Sequence, residues 1–395
     1  MTMTITDVET YLGRVQALEP VLREHADANE RERRLVEPVV DALRDAGMYR
    51  LFVPEELGGA QLDPLEAGRV VAALAEIDSA VAWNVGIAAA SAPAALMFNE
   101  IEDAYRANPD AVCAFSTAAP VFATANEGGY EISGELKTMS GAHQAEWFMG
   151  LAIVIRDGQP VMDPTGTMPD IHVACLERGA VEILDHWHVS AMRGTGSTDA
   201  VVAGAQVATS RVRSIRDFQE RARSVPSLRL WPWNGIYLEA VVSLGIARAA
   251  LRDLKELART KIAGGGDMEP IQQRPRVQHN LGLATALVDG AEAYMKDAMS
   301  QAMDHVASSD ERLTNEIKVG CQLSVFMGAD ASARAVDLVC EAAGTSSARL
   351  EHRFERYFRD VHFLARHAQK TAERVTSAGR MLLGMPAGWP SLDLL

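Results

Sequence analysis

Apolar side chains recur every three or four residues from the start of the chain, with Leu12, Val15, Leu18, Val21 and Leu22 on one stripe, so a helix is predicted from Val8 to Glu37. The charge-dense DANERERRL within it reads as a solvated face. Pro38 opens a second helix that runs to Ala46 and stops at Gly47. Asp63 and Pro64 cap and start another, and Ser79 caps the small-residue helix SAVAWNVGIAAASAPAALMF, which should pack inside a core. Near Asn108 and Pro109 the texture changes. The runs AVCAFSTAA, GYEISGELKTMSG, EWFMGLAIVI, IHVACLE and DAVVAGAQV are strand-like, separated by Gly, Pro, Asn and Asp. From Ile236 the helical period returns in four blocks of bundle length, the last carrying RYFRDVHFLARHAQ, Arg356 to Gln369. In that helix Phe358, Val361, Phe363 and Leu364 form the expected core face, and Arg359, Asp360, Arg366 and Lys370 the solvated one. The pattern divides into a helical domain over 1–108, a small barrel or sandwich over 109–222 and a helical bundle over 223–395.

Charge narrows the function classes. Among 395 residues, 38 are Lys or Arg and 53 are Asp or Glu, a formal charge of −15, which argues against nucleic acid or an anionic membrane as the main partner. No apolar run is expected to reach a membrane span, and MTMTITDVETYLGRV has no basic region followed by an apolar stretch, so a cytoplasmic protein is expected. The four cysteines, Cys113, Cys175, Cys321 and Cys340, have no paired spacing and read as reduced thiols. No G-x-G-x-x-G, G-x-x-x-x-G-K or G-x-S-x-G occurs, which removes the anchors of dinucleotide-binding, kinase-like and hydrolase readings. His186 and His188 alternate on a predicted strand without a convincing third ligand, and His362 and His367 lie five apart where a helical metal pair favours three or four, so no metal is expected. Taken alone, His367 is either a structural histidine or a proton-transfer group.

Four stretches together resemble the acyl-CoA dehydrogenase superfamily in the right order. They are MYRLFVPEELGGAQLDP, GGYEISGELKTMSGAHQAEW, the MRGTGS loop from Met192 to Ser197, and Arg359-Asp360 followed by His367. The dehydrogenases proper place a catalytic Glu in that last neighbourhood. This chain has His367, Ala368 and Gln369 instead, and so is most similar to the two-component (group D) flavin-dependent monooxygenases. The resemblance implies a mainly α fold with a central β domain: an N-terminal helical domain, a β-barrel and a C-terminal four-helix bundle. It implies a reduced flavin, FAD or FMN, delivered by a separate reductase, with O2 as co-substrate and an apolar or aromatic molecule as the group hydroxylated. His367 would stabilise the activated oxygen or take the substrate's hydroxyl proton.

Carried over residue by residue, Gly134 and Trp147 match the flavin strand, Ser140 the hydroxyl at the flavin's central ring, and Ser116 and Thr117 its pyrimidine edge. Met139 and Arg193 complete that side, while Gly344 and Thr345 match a turn near the nucleotide tail. Arg259 and Gln278 match residues lent by a neighbouring subunit in a homotetramer, a dimer of dimers. Trp83, Trp231 and Trp233 are the candidate substrate contacts. Thr138 departs from the pattern, since a Trp is usual there, and AGGGDMEPIQQRP is longer than the matching turn. Two alternatives stand beside this reading: a dehydrogenase whose base lies elsewhere, on Glu239 or Glu256, and a silent scaffold that keeps the fold without a working site.

Overall fold

The computed structural model describes residues 7–217, 229–262 and 268–388. The expected boundary between 222 and 223, and part of AGGGDMEPIQQRP, lie outside them. The chain packs into two compact units, one of Met1–Asp63, Asn84–Val189 and Arg193–Gly235, the other of Pro64–Trp83, Ser190–Met192 and Ile236–Leu395.

In the first unit, α1 (Val8–Glu32) opens at Asp7, whose carboxylate accepts from the Glu9 amide, and buries Tyr11, Val15, Leu18 and Leu22. It ends five residues before the expected Glu37. Arg33 adopts a left-handed φ of 56°, and the Asn29 side chain accepts the Val36 amide at 2.9 Å, so a polar bridge replaces the next turn. Helix α2 (Glu37–Asp45) follows with Pro38 in its first turn, and left-handed Gly47 lies just beyond its end. The Gly-Gly turn then folds back so closely that a Cβ on Gly59 would overlap the Val53 carbonyl. Because that obstacle is backbone, Gly59→Ala should lower unfolding free energy by about 3 kcal/mol. A change below about 1 kcal/mol in urea unfolding would contradict the crowding.

Helix α3 (Pro64–Ile77) belongs to the second unit, and α4 (Ser79–Ala95) begins there. Asp78, not Ser79, supplies the cap: its carboxylate accepts from the amides of Ala80 and Val81 at 2.9 and 3.1 Å. Ser79 is thereby left for another partner. The short α5 (Asn99–Ala107) precedes the strands.

Eight strands form one sheet among the described residues: β1 (Cys113–Asn126), β2 (Gly129–Met139), β3 (Trp147–Arg156), β4 (Gln159–Pro160), β5 (Ile171–Glu177), β6 (Glu182–Ile183), β7 (Thr198–Val207) and β8 (Val212–Ser214). Their order is β6-β7-β2-β1-β3-β5-β8, with β4 on β3. Only β1 and β3 run parallel; the other pairs are antiparallel. Between Leu136 and Met139 the pairing of β2 with β7 slips, and Thr138 sits in the slip with a φ of 56°. His186 and His188, expected on a strand, lie in an irregular segment after β6, each beside an aspartate: Asp199 at 3.4 Å and Asp185 at 3.7 Å.

The second unit is built on α6 (Trp233–Thr260, from Ile236 on), α7 (Pro275–Ser308), α8 (Asn315–Ala343), α9 (Phe354–Leu364) and α10 (Ala372–Leu382). Helix α6 is, among the described residues, long and apolar enough to cross a membrane, contrary to the expectation from sequence. Some 89% of that window is buried inside the protein, as in a core helix. The last block does not form one helix through His367. Helix α9 stops at Leu364, the Arg366 and His367 amides fall back on Phe363 and Leu364, and a 3-10 turn (Ala368–Lys370) leads into α10. The two expected faces also change. Phe358 and Phe363 are exposed, whereas Asp360 and Lys370 are each only 1% exposed.

Candidate functional site

His367 stands where the chain leaves α9, with an extended backbone (φ −61°, ψ 142°) that turns its ring out of the helical path. Two residues meet that ring within the second unit, and a third joins through them. Trp83 of α4 meets it nearly edge-on, centroids 5.4 Å apart and planes at 71°. Glu239 of α6 brings Oε2 to 3.1 Å from Nδ1, off the line of an aligned hydrogen bond. Lys370 closes the cluster from below, its Nζ donating to the Glu239 carbonyl at 3.2 Å and lying 5.2 Å from the Trp83 ring centre.

The carrying turn is pinned on two sides. Gln322 of α8 donates to the Gln369 carbonyl at 2.9 Å, and Arg374 of α10 donates to that of Ala368 at 3.1 Å.

Burial sets the electrostatics here. It pushes the Lys370 ammonium down to about 8, with Glu239 pulling the other way. For Glu239, burial acts upward, but the charge and contact of His367 and the charge of Lys370 hold its carboxyl below the ordinary value. Glu239 is therefore a paired carboxylate and not a free base, while Glu256 is exposed on α6.

The Arg-Asp pair preceding His367 is structural. Asp360 accepts the Ser79 hydroxyl at 2.6 Å through one oxygen and the Met192 amide at 2.7 Å through the other. Arg359 pairs with Glu355 at 2.8 Å and donates to the Ser190 carbonyl. The motif thus binds α9 to the start of α4 and to Ser190–Met192.

In the first unit a string of hydroxyls ends at Ser140. Thr195 and Ser197 hydroxyls are 2.7 Å apart, and Ser197 and Ser140 also 2.7 Å. A buried amide pair continues it: Gln144 donates to the Asn84 side chain at 2.8 Å, and Asn84 to the Thr195 carbonyl at 3.3 Å. Ser116 is buried and donates to the Lys137 carbonyl, while Thr117 is exposed. Met139 is fully buried, so its main chain is what it presents. Arg193 directs Nε to the Glu30 carbonyl at 3.0 Å, which fastens its loop to α1.

Trp147 lies under the Arg211 guanidinium at 5.0 Å. Trp231 stacks on Phe115 with centroids 6.3 Å apart, and Trp233 is buried with its indole N–H unpartnered.

Other candidates sit at the ends of the bundle helices. Arg259 and Gln278 are exposed, the latter donating to the Gln272 carbonyl at 2.9 Å. Gly344 takes a φ of 59°, and Thr345 beside it is exposed. Lys261, which sequence reading passed over, braces that turn through the Ala343 carbonyl at 2.6 Å and the Ser346 hydroxyl at 2.9 Å. Lys370, expected on the solvated face because a lysine nearly three turns past a polar pair reads as solvent-facing, is instead buried. No group of three or more His, Cys, Asp or Glu suited to a metal occurs among the described residues.

Comparison with known proteins agrees with this architecture. The family model described as acyl-CoA dehydrogenase, C-terminal domain, matches residues 237–371, and that described as acyl-CoA dehydrogenase, N-terminal domain, matches 15–100. The flavin-dependent monooxygenase oxygenase subunit HsaA of Mycobacterium tuberculosis is 25% identical over 393 residues, covering 97% of each chain. Indole-3-acetate monooxygenase of Pseudomonas putida is 27% identical over 378 residues, 93% of each. The oxygenase component of the FADH(2)-dependent resorcinol hydroxylase of a Rhizobium species is 28% identical, covering 95% of this chain and 94% of that protein. Among solved structures, XiaF from a Streptomyces species, in complex with FADH2 and glycerol, superposes with a TM-score of 0.90 at 23% identity and 97% coverage of each, a likeness of fold.

Proposed function

The chain belongs to the acyl-CoA dehydrogenase superfamily, and from that membership we propose that it is the oxygenase component of a two-component flavin-dependent monooxygenase. It takes reduced flavin, FAD or FMN, from a separate reductase and uses O2 to hydroxylate an apolar aromatic substrate. Relatives named as monooxygenases and hydroxylases over nearly the whole chain support this. The observation that carries it is His367, a histidine held by Trp83 and Glu239 where the dehydrogenases keep a catalytic carboxylate.

The residues fit a flavin. The hydroxyl string ending at Ser140 and the exposed Thr117 offer the polar contacts that a flavin ring's edge requires. When bound, reduced flavin supplies the electrons and the site at which O2 is activated, and the protein supplies position and dryness. Ser140, whose hydroxyl lies 2.7 Å from that of Ser197, would hold the ring, with Ser116, Thr117, Met139 and Arg193 shaping its surroundings. His367 exchanges the substrate's hydroxyl proton. Trp83, edge-on to His367, favours an aromatic guest. We further propose a cytoplasmic homotetramer in which Arg259, Gln278, Gly344 and Thr345 serve the nucleotide end of the flavin.

The test supplies chemically reduced FAD, and FMN in parallel, with labelled O2 and a panel of phenols and indoles. One labelled oxygen atom in the product is expected. Unlabelled substrate together with bleaching of bound oxidised flavin by an acyl-CoA would replace this reading with the dehydrogenase one. Ser140→Ala should weaken reduced-flavin binding about tenfold, the loss of one hydrogen bond. An anaerobic titration showing less than a twofold change would remove Ser140 from the flavin contacts.

A further inference from the structure

The cluster around His367 holds more charge than a single proton-transfer group requires. Glu239 is a largely buried carboxylate, its Oε2 closed off from solvent, with two candidate counter-ions, His367 at 3.1 Å and Lys370, and Lys370 is only 1% exposed. A carboxylate in a dry site demands one positive partner, and whichever group serves is held in its charged form. If the histidine alone served, it would be kept protonated and unable to take a proton from substrate.

Resting on the monooxygenase reading, we propose that Lys370 is a positioning residue that takes up the negative charge of Glu239, freeing His367 to accept the substrate's hydroxyl proton at Nε2. That ring nitrogen is the one not facing Glu239. The proton leaves the substrate oxygen, resides on Nε2 and passes to solvent after turnover; no electrons move in this step.

The geometry assigns each neighbour a part. Lys370 reaches the Glu239 main chain while its ammonium rests over Trp83, so the charge is held by an indole face and a carbonyl without exposure to water. From α10, Arg374 is buried and donates to the Ala368 carbonyl, a second positive charge on the same turn. From α8 comes the uncharged Gln322, and from α4 the Trp83 ring. The Glu239 carboxylate thus faces one lysine and one histidine, a balance in which the histidine is the group left free to change.

The readout is the proton titration of His367 in flavin-free protein, followed by its imidazole Cε1–H resonance and assigned by difference against His367→Gln. Lys370→Met, which keeps the length of the buried chain, should raise the midpoint by about one unit, because His367 then becomes the carboxylate's counter-ion. Glu239→Gln should lower it. The double variant should return to within about 0.3 units of native, since removing both charges removes the competition. A midpoint unmoved by Lys370→Met, or moved in the same direction as by Glu239→Gln, overturns the proposal. The acid limb of hydroxylation, measured with reduced flavin, should follow the same shifts. Titrations that move as stated in a protein making no labelled product would leave the charge coupling standing and remove the monooxygenase reading. Labelled product with an unmoved titration would do the reverse.

Discussion

Replacing His367 with glutamine is expected to cut the rate of substrate hydroxylation by about 10² to 10⁴-fold, the usual contribution of a positioned acid or base. The side chain is 34% exposed and makes one ring contact and one close approach to the Glu239 carboxylate, so its loss should cost the fold little. Glutamine keeps a polar group near Glu239 but accepts a proton far more weakly than imidazole. The measurement is a single turnover: reduced flavin and substrate are mixed with oxygenated buffer, and product is quantified against time. Urea unfolding of the same variant should change by less than about 1 kcal/mol. A turnover rate within fivefold of native would make His367 a prop for Trp83 and nothing more.

Asp360→Ala should act on stability, lowering the unfolding free energy by about 3 kcal/mol. One carboxylate accepts both the Ser79 hydroxyl and the Met192 amide, at 2.6 and 2.7 Å, in a site where Asp360 is 1% exposed. Each donor that loses such a buried, charged acceptor costs roughly 1–3 kcal/mol. Met192 is also held at a left-handed φ of 51°, a conformation the surrounding bonds must maintain. Asp360→Asn keeps one acceptor oxygen and turns the other into a donor, so it should fall between native and alanine. Denaturant unfolding followed by tryptophan fluorescence reads the difference. An alanine variant within about 1 kcal/mol of native would mean that water or another group replaces the carboxylate.

The order of helices and strands was legible in the sequence because it depends on local periods, and the resemblance was legible because its motifs are short and contiguous. Where local signals met tertiary ones, the reading slipped. Nothing in FLARHAQK breaks a helix by propensity, yet α9 ends at Leu364 and the following turn is pinned by Gln322 and Arg374 from other helices. Ser79 looked like a cap because serine commonly is one, but Asp78 beside it takes that part and Ser79 binds Asp360. Lys370 and Asp360 looked solvated because charge usually is; their burial follows from partners 131 and 281 residues away, respectively, which no window along the chain contains. Glu239 could be named as a carboxylate of interest, but its pairing with His367 appeared only in three dimensions.

The bond between Ser79 and Asp360 spans 281 residues, and the one between Asp360 and Met192 spans 168. Closing such long loops forfeits chain entropy before any contact rewards it, and folds dominated by distant pairings are slow to complete. The surroundings of His367 are therefore among the last features a newly made chain acquires. Before α9 docks, α4 can already be formed, but Trp83 has no imidazole to meet and Ser79 no carboxylate. A chain interrupted before α9 therefore lacks the surroundings of His367 all at once, and not a part of them.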